Sequence, residues 1–381
     1  LVKAFADAQD EVTVTLTPIP SQNDYRARLA ADFAAGTPPD ISLLNFRRVG
    51  AFAAADQLQP LGAYLDDSDV IAPEDFYSIT LEAFTWQGQL MCIPQNISSL
   101  VVYYNRDLFR AAGVAEPADD WTWDDFLAAA QALTLDSDGD GQTDQYGLGV
   151  EASLYRLAPF IWQNGGELVD DPAFPTQLAL PRVPALAALT WFTELQTVHG
   201  VAPDRVAEES QDSESRFVAG TTAMYLNSRR GTPTYRESAA FDWDIAPLPH
   251  GAVEAGVLHS DGYCLSATAA GKDAAWRFIE FANSPEGQRI VAQTGRTVPS
   301  LIAVAESDAF LDPAQRPARS RVFLDTIPTL RLVPVLSTWN DIESTASEEI
   351  ERAFYGDISP EEAAILARDR TDEYFQLAVR P

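Results

Sequence analysis

Two short apolar runs enclose a polar segment in the first third of the chain. Leu90–Ile93 and Leu100–Tyr104 have the length and the apolar, partly β-branched and aromatic composition of buried strands. Pro94 ends the first strand because it has no N–H to donate, so that Gln95–Ser99 lies between the two strands. This pattern predicts either a chain that passes from the sheet of one domain to the sheet of another, or an ordinary buried hairpin.

The region before these runs has a strand–helix–strand pattern. The alternation at Val12–Leu16 predicts a strand, a helix follows, and the apolar run Asp40–Asn45 predicts a second strand. This order implies a parallel sheet in an α/β fold, in which ligands gather at the carboxyl ends of strands. Asn45, Phe46 and Arg47 stand at such an end and are candidate ligand-binding residues; a turn with an exposed arginine is the alternative.

An acidic loop follows a helix that is predicted to start at a capping box, Thr122–Asp125. Acids occupy positions 1, 3, 5 and 9 of a calcium-loop pattern, and Gly141 permits the sharp turn at position 6. Position 12, normally a glutamate, is Gly147, so that a carboxylate from elsewhere would have to complete the shell. The pattern predicts either a structural calcium ion or a rigid turn without metal. The candidate ligands are Asp136, Asp138, Asp140, Gln142 and Asp144.

The apolar run Ala158–Trp162 ends at a turn marked by Gly165 and Gly166. An aromatic ring before a turn suits a platform for the C–H face of a sugar, and a tryptophan of the core is the alternative. Trp162 and Asn164 are therefore candidate ligand-binding residues.

Length and charge narrow the function. A chain of 381 residues that is 46% hydrophobic is too long for one simple core and indicates two domains. A net charge of −30 argues against nucleic-acid binding and against anionic membrane surfaces. No apolar run reaches the ~20 residues that a membrane span needs. The chain opens at Leu1 and not at Met, without a signal peptide, which suggests a processed or trimmed chain.

Sequence motifs of common enzymes are absent. There is no nucleophile elbow, P-loop, dinucleotide-binding or zinc-protease motif. The three histidines, His199, His250 and His259, lack the spacing of metal ligands. The 56 acidic residues leave a glycosidase-type pair of carboxylates open, although the sequence marks out no pair.

Several segments resemble the bacterial extracellular solute-binding proteins, related to maltose-binding protein, that feed sugars to ABC transporters. In chain order they are RARLAADFAAGTPPDISLLN (26–45), IPQNISSLVVYYNRDLFRAAGV (93–114), WTWDDFLAAAQALTLDSDGDGQTDQYGLG (121–149), WQNGGELVDD (162–171), FVAGTTAMYLNS (217–228), FDWDIAPLPHG (241–251) and AAWRFIEFANSPEGQ (274–288). Each segment is weak alone, but the ordered set is specific.

The resemblance implies an α/β fold of two lobes, the periplasmic-binding-protein or Venus flytrap fold, with discontinuous domains joined by hinge strands. One lobe would comprise residues 1–96 plus 263–300, and the other residues 97–262 plus 301–381. One feature departs from the family, whose members usually begin with a strand before the first helix. This chain starts within a predicted helix, so that either the strand is missing or the lobe is built differently.

The resemblance also implies that the ligand lies in a cleft between the lobes. A loop in which the family commonly carries a sugar-stacking tryptophan has Arg229 here, which suits an acidic or heavily hydroxylated ligand; a solvated arginine is the alternative. The ligand-binding candidates that the resemblance supplies are Gln95, Asn96, Asn227, Ser228, Arg229, Asp261, Gly262, Tyr263, Arg296 and Trp339.

The two cysteines, Cys92 and Cys264, each lie in a predicted strand. The family places these strands side by side near the hinge, which implies one disulfide. Two buried thiols are the alternative.

The leading hypothesis is an extracytoplasmic substrate-binding protein, periplasmic or at the cell surface and lipid-anchored or secreted. It would bind a mono- or oligosaccharide as a monomer and deliver it, without chemistry, to the membrane permease of an ABC importer. The alternative is a carbohydrate-active enzyme of the glycosidase type that uses carboxylates of the cleft. Ligand recovered intact after incubation would support the binding protein, and cleaved product the enzyme. No cofactor is expected apart from the calcium ion considered above.

Overall fold

The computed structural model describes residues 1–381 and consists of helices and short strands. Three 3-10 helices occupy Pro73–Asp75, Arg229–Gly231 and Ile327–Thr329. The α-helices are α1 (Val2–Ala8), α2 (Gln22–Ala34), α3 (Phe46–Ala53), α4 (Gly62–Asp66), α5 (Ser78–Ala83), α6 (Arg106–Ala112), α7 (Trp123–Ala132), α8 (Leu154–Gln163), α9 (Val183–Thr197), α10 (Arg205–Ser210), α11 (Ser213–Ala219), α12 (Thr232–Ser238), α13 (Lys272–Asn283), α14 (Pro285–Gln293), α15 (Ile302–Ala305), α16 (Val322–Asp325), α17 (Trp339–Phe354) and α18 (Pro360–Leu377).

The strands form two four-stranded sheets and two short pairs. They are β1 (Ile41–Asn45), β2 (Leu58–Gln59), β3 (Thr85–Trp86), β4 (Gln89–Leu90), β5 (Cys92–Pro94), β6 (Val101–Asn105), β7 (Tyr146–Gly149), β8 (Thr222–Asn227), β9 (Trp243–Ala246), β10 (Gly256–Val257), β11 (Asp261–Ser266) and β12 (Leu330–Arg331).

The first sheet is built around β11, which pairs antiparallel with β1 on one side and with β5 and β2 on the other. Val12–Leu16, predicted as a strand, forms no regular element. The prediction of a parallel sheet is therefore wrong for this region. The only strand that pairs with β1 is β11, which comes from much later in the chain and runs antiparallel to it.

The second sheet has the order β7-β8-β6-β9. β7 and β8 are parallel, and the other two pairs are antiparallel. Every residue of β6 and β8 is buried, because helices cover both faces of this sheet. The long apolar run that predicted β6 is thus typical of a strand with no solvent-facing side.

Hydrogen bonds join the segments in which the chain passes between the two sheets. β5 belongs to the first sheet and β6 to the second, while β9 belongs to the second and β11 to the first. Between them, Ser98 N donates to His259 O (2.8 Å) and His259 N donates to Ser98 O (2.9 Å). Ile97 N donates to Val298 O (2.9 Å), so that the segment after α14 also lies beside the first crossing. The predicted two-lobe fold with hinge strands is confirmed.

The strands also shift the lobe boundaries that the sequence suggested. Asp261 and Gly262 lie in β11 of the first sheet and not in the second lobe. Leu301 and Val304 pack with Trp276 in the core of the first lobe, which therefore continues beyond residue 300.

Two clusters of buried hydrophobic residues form the interior, and one helix packs against both lobes. A cluster of fifteen residues lies within the first lobe, and a larger cluster of 78 residues surrounds the second sheet and extends into the first lobe at α2, α3 and β1. Helix α17 packs against α3 of the first lobe and against α8 and α9 of the second. Side chains from both lobes and from α17 consequently meet beside the crossing segments.

Candidate functional site

Asp261 is the centre of a side-chain network at the crossing segments. Asn45 Nδ2 donates to Asp261 Oδ1 (3.1 Å), and Asn96 Nδ2 donates to Asp261 Oδ2 (3.4 Å). Asn45 is held in place because it also caps α3, its Oδ1 accepting from the backbone N–H of Arg47. The ends of β1, β5 and β11 therefore bring together three of the residues that the sequence predicted.

Gln95 continues this network into the first lobe. Its Nε2 donates to the Tyr263 hydroxyl (2.7 Å), and its Oε1 accepts from Asn96 Nδ2 (3.2 Å). The Tyr263 ring packs edge-on to Phe278 in the core, and burial raises the pKa of Tyr263 to about 12. Tyr263 thus positions Gln95 and does not itself present a free face to a ligand.

Arg47 connects the lobes. Its Nε donates to Asn45 Oδ1 (3.0 Å), and its guanidinium pairs with Glu343 of α17. The same guanidinium lies 4.1 Å from the centroid of the Tyr155 ring at the start of α8. Burial opposes the charge of Arg47, yet the Glu343 carboxylate raises its pKa. We call the region around the contact of Arg47 with Tyr155, together with the Asp261 network beside it, the cleft.

Trp339 supports this arrangement from α17. Its Nε1 donates to Glu343 Oε2 (3.1 Å), which fixes the carboxylate that pairs with Arg47. The indole is fully buried, so that Trp339 is a positioning residue and offers no surface for stacking.

A cavity of about 270 Å³ opens beside the network, between α2, α3 and the start of α17. Guanidinium, amide, carboxylate and phenol groups surround it and offer both donors and acceptors, as expected where a polar ligand is fixed in one orientation. The polar residues that line it include Tyr25, Arg26, Asn45, Arg48, Asp261 and Asp341.

The second lobe contributes aromatic groups and a neutral imidazole to the cleft. The Tyr155 hydroxyl donates to Leu258 O (2.9 Å), and the centroids of the Tyr155 and His259 rings are 6.3 Å apart. Burial lowers the pKa of His259 to about 4, against the opposing effect of the Asp261 charge. His259 is therefore uncharged near neutral pH.

Trp162 and Asn164 lie at the opposite end of α8 from Tyr155. Trp162 is 3% exposed, and the Arg331 guanidinium covers its ring at 4.9 Å from the centroid. Asn164 Nδ2 donates to Pro184 O (2.8 Å), which fastens the turn after the helix. The structure therefore does not support the predicted contact of either residue with a sugar, because Trp162 lies seven positions and Asn164 nine positions along the chain from Tyr155 at the cleft.

The loop after β8 is also interior. Asn227 is fully buried and its Nδ2 donates to the Tyr235 hydroxyl (2.7 Å), while the Tyr103 hydroxyl donates to Ser228 O (3.0 Å). The Asn227 side chain is thus engaged in structural contacts, whereas the Ser228 contact uses its backbone oxygen, and ligand binding by the Ser228 hydroxyl stays a prediction.

Arg229, predicted to bind a ligand, is 1% exposed. Its Nε donates to Gly295 O (2.9 Å) and its Nη1 donates to Ser320 Oγ (3.0 Å). The side chain thus fastens this loop to the C-terminal end of α14, because both bonds tie distant segments together. Arg296 in contrast is exposed in the segment after α14, and its role in ligand binding stays a prediction.

Two further candidates serve packing. Phe46 is fully buried at the start of α3. A Cβ at Gly262 would lie 2.8 Å from the Phe84 ring and 3.1 Å from Ile93 O, so that glycine is required for the close approach of β5 and β11. Neither residue offers a polar atom of its side chain to a ligand.

Sequence reasoning missed several residues of the cleft. Arg156 had a detectable signal, because it is the only charged residue in the apolar helix α8. Tyr155 and Glu343 had none, since they reach the cleft only through the packing of α8 and α17. The same holds for Arg26 and Arg48, which look like ordinary surface arginines in the sequence.

Comparison with known proteins decides the family. A sequence model of the bacterial extracellular solute-binding proteins matches residues 1–318 of this chain. The chain belongs to this family.

Relatives of this solute-binding protein are binding proteins as well. The solved structure of an ABC substrate-binding protein from Listeria monocytogenes in complex with cycloalternan has a TM-score of 0.90 and 26% identity, and covers 98% of this chain and 94% of that chain. The maltotriose-binding protein of Pyrococcus abyssi is 24% identical over 69% of this chain and 55% of its own length. The sn-glycerol-3-phosphate-binding periplasmic protein UgpB of Pectobacterium atrosepticum is 23% identical over 97% of this chain and 86% of its own length. The prediction of a binding protein and not a glycosidase is confirmed.

A disulfide cross-links the first lobe of the solute-binding protein. Cys92 of β5 stands directly opposite Cys264 of β11, and the two sulfurs are bonded. Of the two alternatives that the sequence left open, the structure shows the bridge. Disulfides persist in the oxidising environment outside the cytoplasm, which agrees with the extracellular location of this family. None of its helices has both the length and the apolar character needed to cross a bilayer.

The acidic loop has converging carboxylates. Ligand atoms of Asp136, Asp138 and Asp144 lie within 4.8 Å of one another. Asp136 already accepts from Gly139 N (2.7 Å) and Gly141 N (2.9 Å), as in a self-supporting turn. Asp140 and Gln142 bond each other and stand outside the converging group. Calcium binding by this loop stays a prediction.

Proposed function

We propose that this protein captures a mono- or oligosaccharide in the cleft and delivers it to the membrane permease of an ABC importer. The observation that supports this most is the convergence of Arg47, Tyr155 and Asp261, which come from both lobes and from a crossing strand. Relatives that bind cycloalternan and maltotriose add support for a carbohydrate.

The geometry suggests how binding and closure are coupled. Asn45, Asn96 and Asp261 offer fixed donors and acceptors for hydroxyl groups on the side of the first lobe. A ligand that touches both lobes favours the closed state to the extent that it binds that state better. Exclusion of water on closure strengthens each hydrogen bond to the ligand. The closed shape is what the permease would then recognise.

The proposed assembly is a monomer outside the cytoplasm, either lipid-anchored or secreted. The fold supplies its own complete cleft, so that binding needs no second subunit. Size-exclusion chromatography with light scattering tests the monomer, and co-purification with a membrane permease tests the transport role.

Binding is tested by a thermal-shift screen against mono- and oligosaccharides, followed by calorimetry on each hit. The informative variant is Asn45→Ser, because serine still caps α3 but is too short to reach Asp261. We expect a loss of about tenfold in affinity, which corresponds to one hydrogen bond of roughly 1.4 kcal/mol. Asn164→Ser is the matched control, since Asn164 bonds only Pro184 at the far end of α8.

An equal loss of affinity in both variants would move the site away from Asp261. Failure of every saccharide to raise the unfolding temperature of the wild-type protein would refute a carbohydrate ligand. Cleavage of a bound oligosaccharide, seen by chromatography, would refute a purely binding role.

A further inference from the structure

Three arginines at the cleft lack the partners that most arginines of this chain have. Of 26 basic residues two are lysines, and 19 of the 24 arginines donate a side-chain hydrogen bond or form an ion pair, as Arg106 does with Glu116 at 2.8 Å. Two of the remaining five are exposed. The three that are partly buried and unpartnered are Arg26, Arg48 and Arg230.

These three guanidinium groups come from different elements but act on the same region. Arg26 of α2 and Arg48 of α3 line the cavity beside Asp261. Burial and the charge of Arg47 lower the pKa of Arg26, and the charge of Arg230 from the second lobe acts in the same direction. Burial, followed by the charges of Arg26 and Arg47, lowers the pKa of Arg48 to about 10. Positive charges thus repel one another across the cleft.

A fourth arginine adds an unused donor. Arg156 is 5% exposed, and its Nη2 pairs with Glu151 at 3.2 Å. Its Nε is buried and has no acceptor. Leaving a buried donor unpaired is costly, so that such an atom points to a partner that arrives from outside.

The carboxylates nearby compensate for these charges only in part, because they raise the pKa of Arg26 and Arg48 by less than burial and the other arginines lower it. Asp261 accepts from Asn45 and Asn96, and Glu343 pairs with Arg47. Asp341 lines the cavity but is exposed and lies beyond ion-pair distance of any arginine. In a chain with a net charge of −30, two half-buried arginines without ion pairs line one cavity, and the charge of Arg230 acts on one of them from the second lobe. This local excess of positive charge destabilises the free protein.

We propose that the ligand carries an oxyanion, either a carboxylate or a phosphate on a carbohydrate, and that Arg26, Arg48 and Arg230 bind it. This inference rests on the proposed function and specifies the chemical class of its ligand. A guanidinium presents paired N–H donors that match the geometry of both anions. Asp261 with its two asparagines is left to bind hydroxyl groups of the same ligand.

The test compares glucose, glucose 6-phosphate, glucuronate and inorganic phosphate by thermal shift and calorimetry at low and high salt. We expect an anionic probe to bind at least about tenfold more tightly than glucose, and this preference to shrink at high salt. The phosphate and carboxylate probes distinguish the two sources of the anion. Arg26→Gln and Arg230→Gln should each remove about tenfold or more of the preference, while Arg26→Lys should retain part of it.

Arg28→Gln is the matched control, because Arg28 lies on the same helix as Arg26 but is exposed and pairs with Asp32 at 2.8 Å. It should leave anion binding unchanged, and circular dichroism should show that each variant is folded.

Each outcome decides one of the two proposals. If glucose or any neutral saccharide of the wider screen binds more tightly than the anionic probes, this inference is overturned but the proposed function stands. Anion binding that survives in Arg26→Gln and Arg230→Gln, or that is lost equally in Arg28→Gln, would also overturn it. Binding of inorganic phosphate with no binding of any saccharide would support the anion site and refute the carbohydrate ligand.

Discussion

Reduction of the disulfide should destabilise the first lobe by a calculable amount. Cys92 and Cys264 are separated by 172 residues, so that the bridge closes a loop containing the whole chain between the first and second crossings. Closing a loop of this length removes roughly 17 cal/mol/K of entropy from the unfolded chain, which corresponds to a stabilisation of about 5 kcal/mol at 25 °C. This calculated value is an upper limit, because measured stabilisations by disulfides are typically about 2–4 kcal/mol. With an unfolding entropy of about 2.1 cal/mol/K per residue, a loss of 3–5 kcal/mol lowers the unfolding temperature by about 4–6 °C.

Both sulfurs are fully buried, so the reductant must be applied to the unfolded chain. We would unfold the protein in denaturant with reductant, refold it with reductant present, and compare its unfolding temperature with that of the oxidised protein by calorimetry. Cys92→Ala combined with Cys264→Ala is the control, because reductant should not shift its unfolding temperature. Mass spectrometry after alkylation in denaturant counts the free thiols in each sample.

Two alkylated thiols in protein purified without reductant would show that the bridge does not form. Equal unfolding temperatures of the oxidised and reduced forms would refute the entropic argument even if the bridge is present. A shift of similar size in the double alanine variant would assign the effect to the reductant.

Three further predictions concern residues outside this bridge. Trp162→Ala should lower the free energy of unfolding by about 3–5 kcal/mol, because it leaves a cavity in the core. Calorimetry below the unfolding temperature should show nearly unchanged saccharide affinity. A selective loss of affinity would return Trp162 to the ligand site. Lowering the pH from 7 to 5 should destabilise the wild type more than His259→Gln. The folded-state pKa of His259 is about 4 against an ordinary 6.5, so the unfolded chain takes up the proton first, and about 2 kcal/mol of stability is lost between pH 7 and pH 5. Equal pH slopes of thermal unfolding in the two proteins would contradict this. If the loop of Asp136, Asp138 and Asp144 binds calcium, adding calcium at a hundred times its Kd to protein freed of metal by a chelator should raise the free energy of unfolding by about 2.7 kcal/mol. Asp138→Asn should abolish this effect. An unchanged unfolding temperature of the wild type would favour the turn without metal.

Local signals predicted the strands on either side of the first crossing well, whereas the crossing itself was predicted by the resemblance to the family. Pro94 and the apolar runs around it showed where one strand ends and the next begins, since a residue without an N–H cannot continue a ladder. Val12–Leu16 misled for the converse reason. Its alternation is typical of a strand, but a strand needs a hydrogen-bonded neighbour, and Val12–Leu16 pairs with no strand of either sheet.

The candidate site was only half predictable. Asn45 was found because it stands at the carboxyl end of a predicted strand, where ligands gather in α/β folds, and Asp261 was found through the resemblance to the family. Trp162 was misjudged because burial and the cover of Arg331 depend on which way α8 packs. The amino-acid composition of an apolar helix does not predict which of its faces lies at a cleft.

The sequence by itself determined the family, the α/β class and the passage of the chain between two sheets, since these follow from the local order of apolar runs, breakers and motifs. Tertiary structure alone decided which arginines are satisfied and which are not. Pairing depends on distances between side chains far apart in the chain, and Arg229 and Arg230, adjacent in sequence, end in opposite situations: one bonded in the interior, the other half-buried and without a partner beside the cleft.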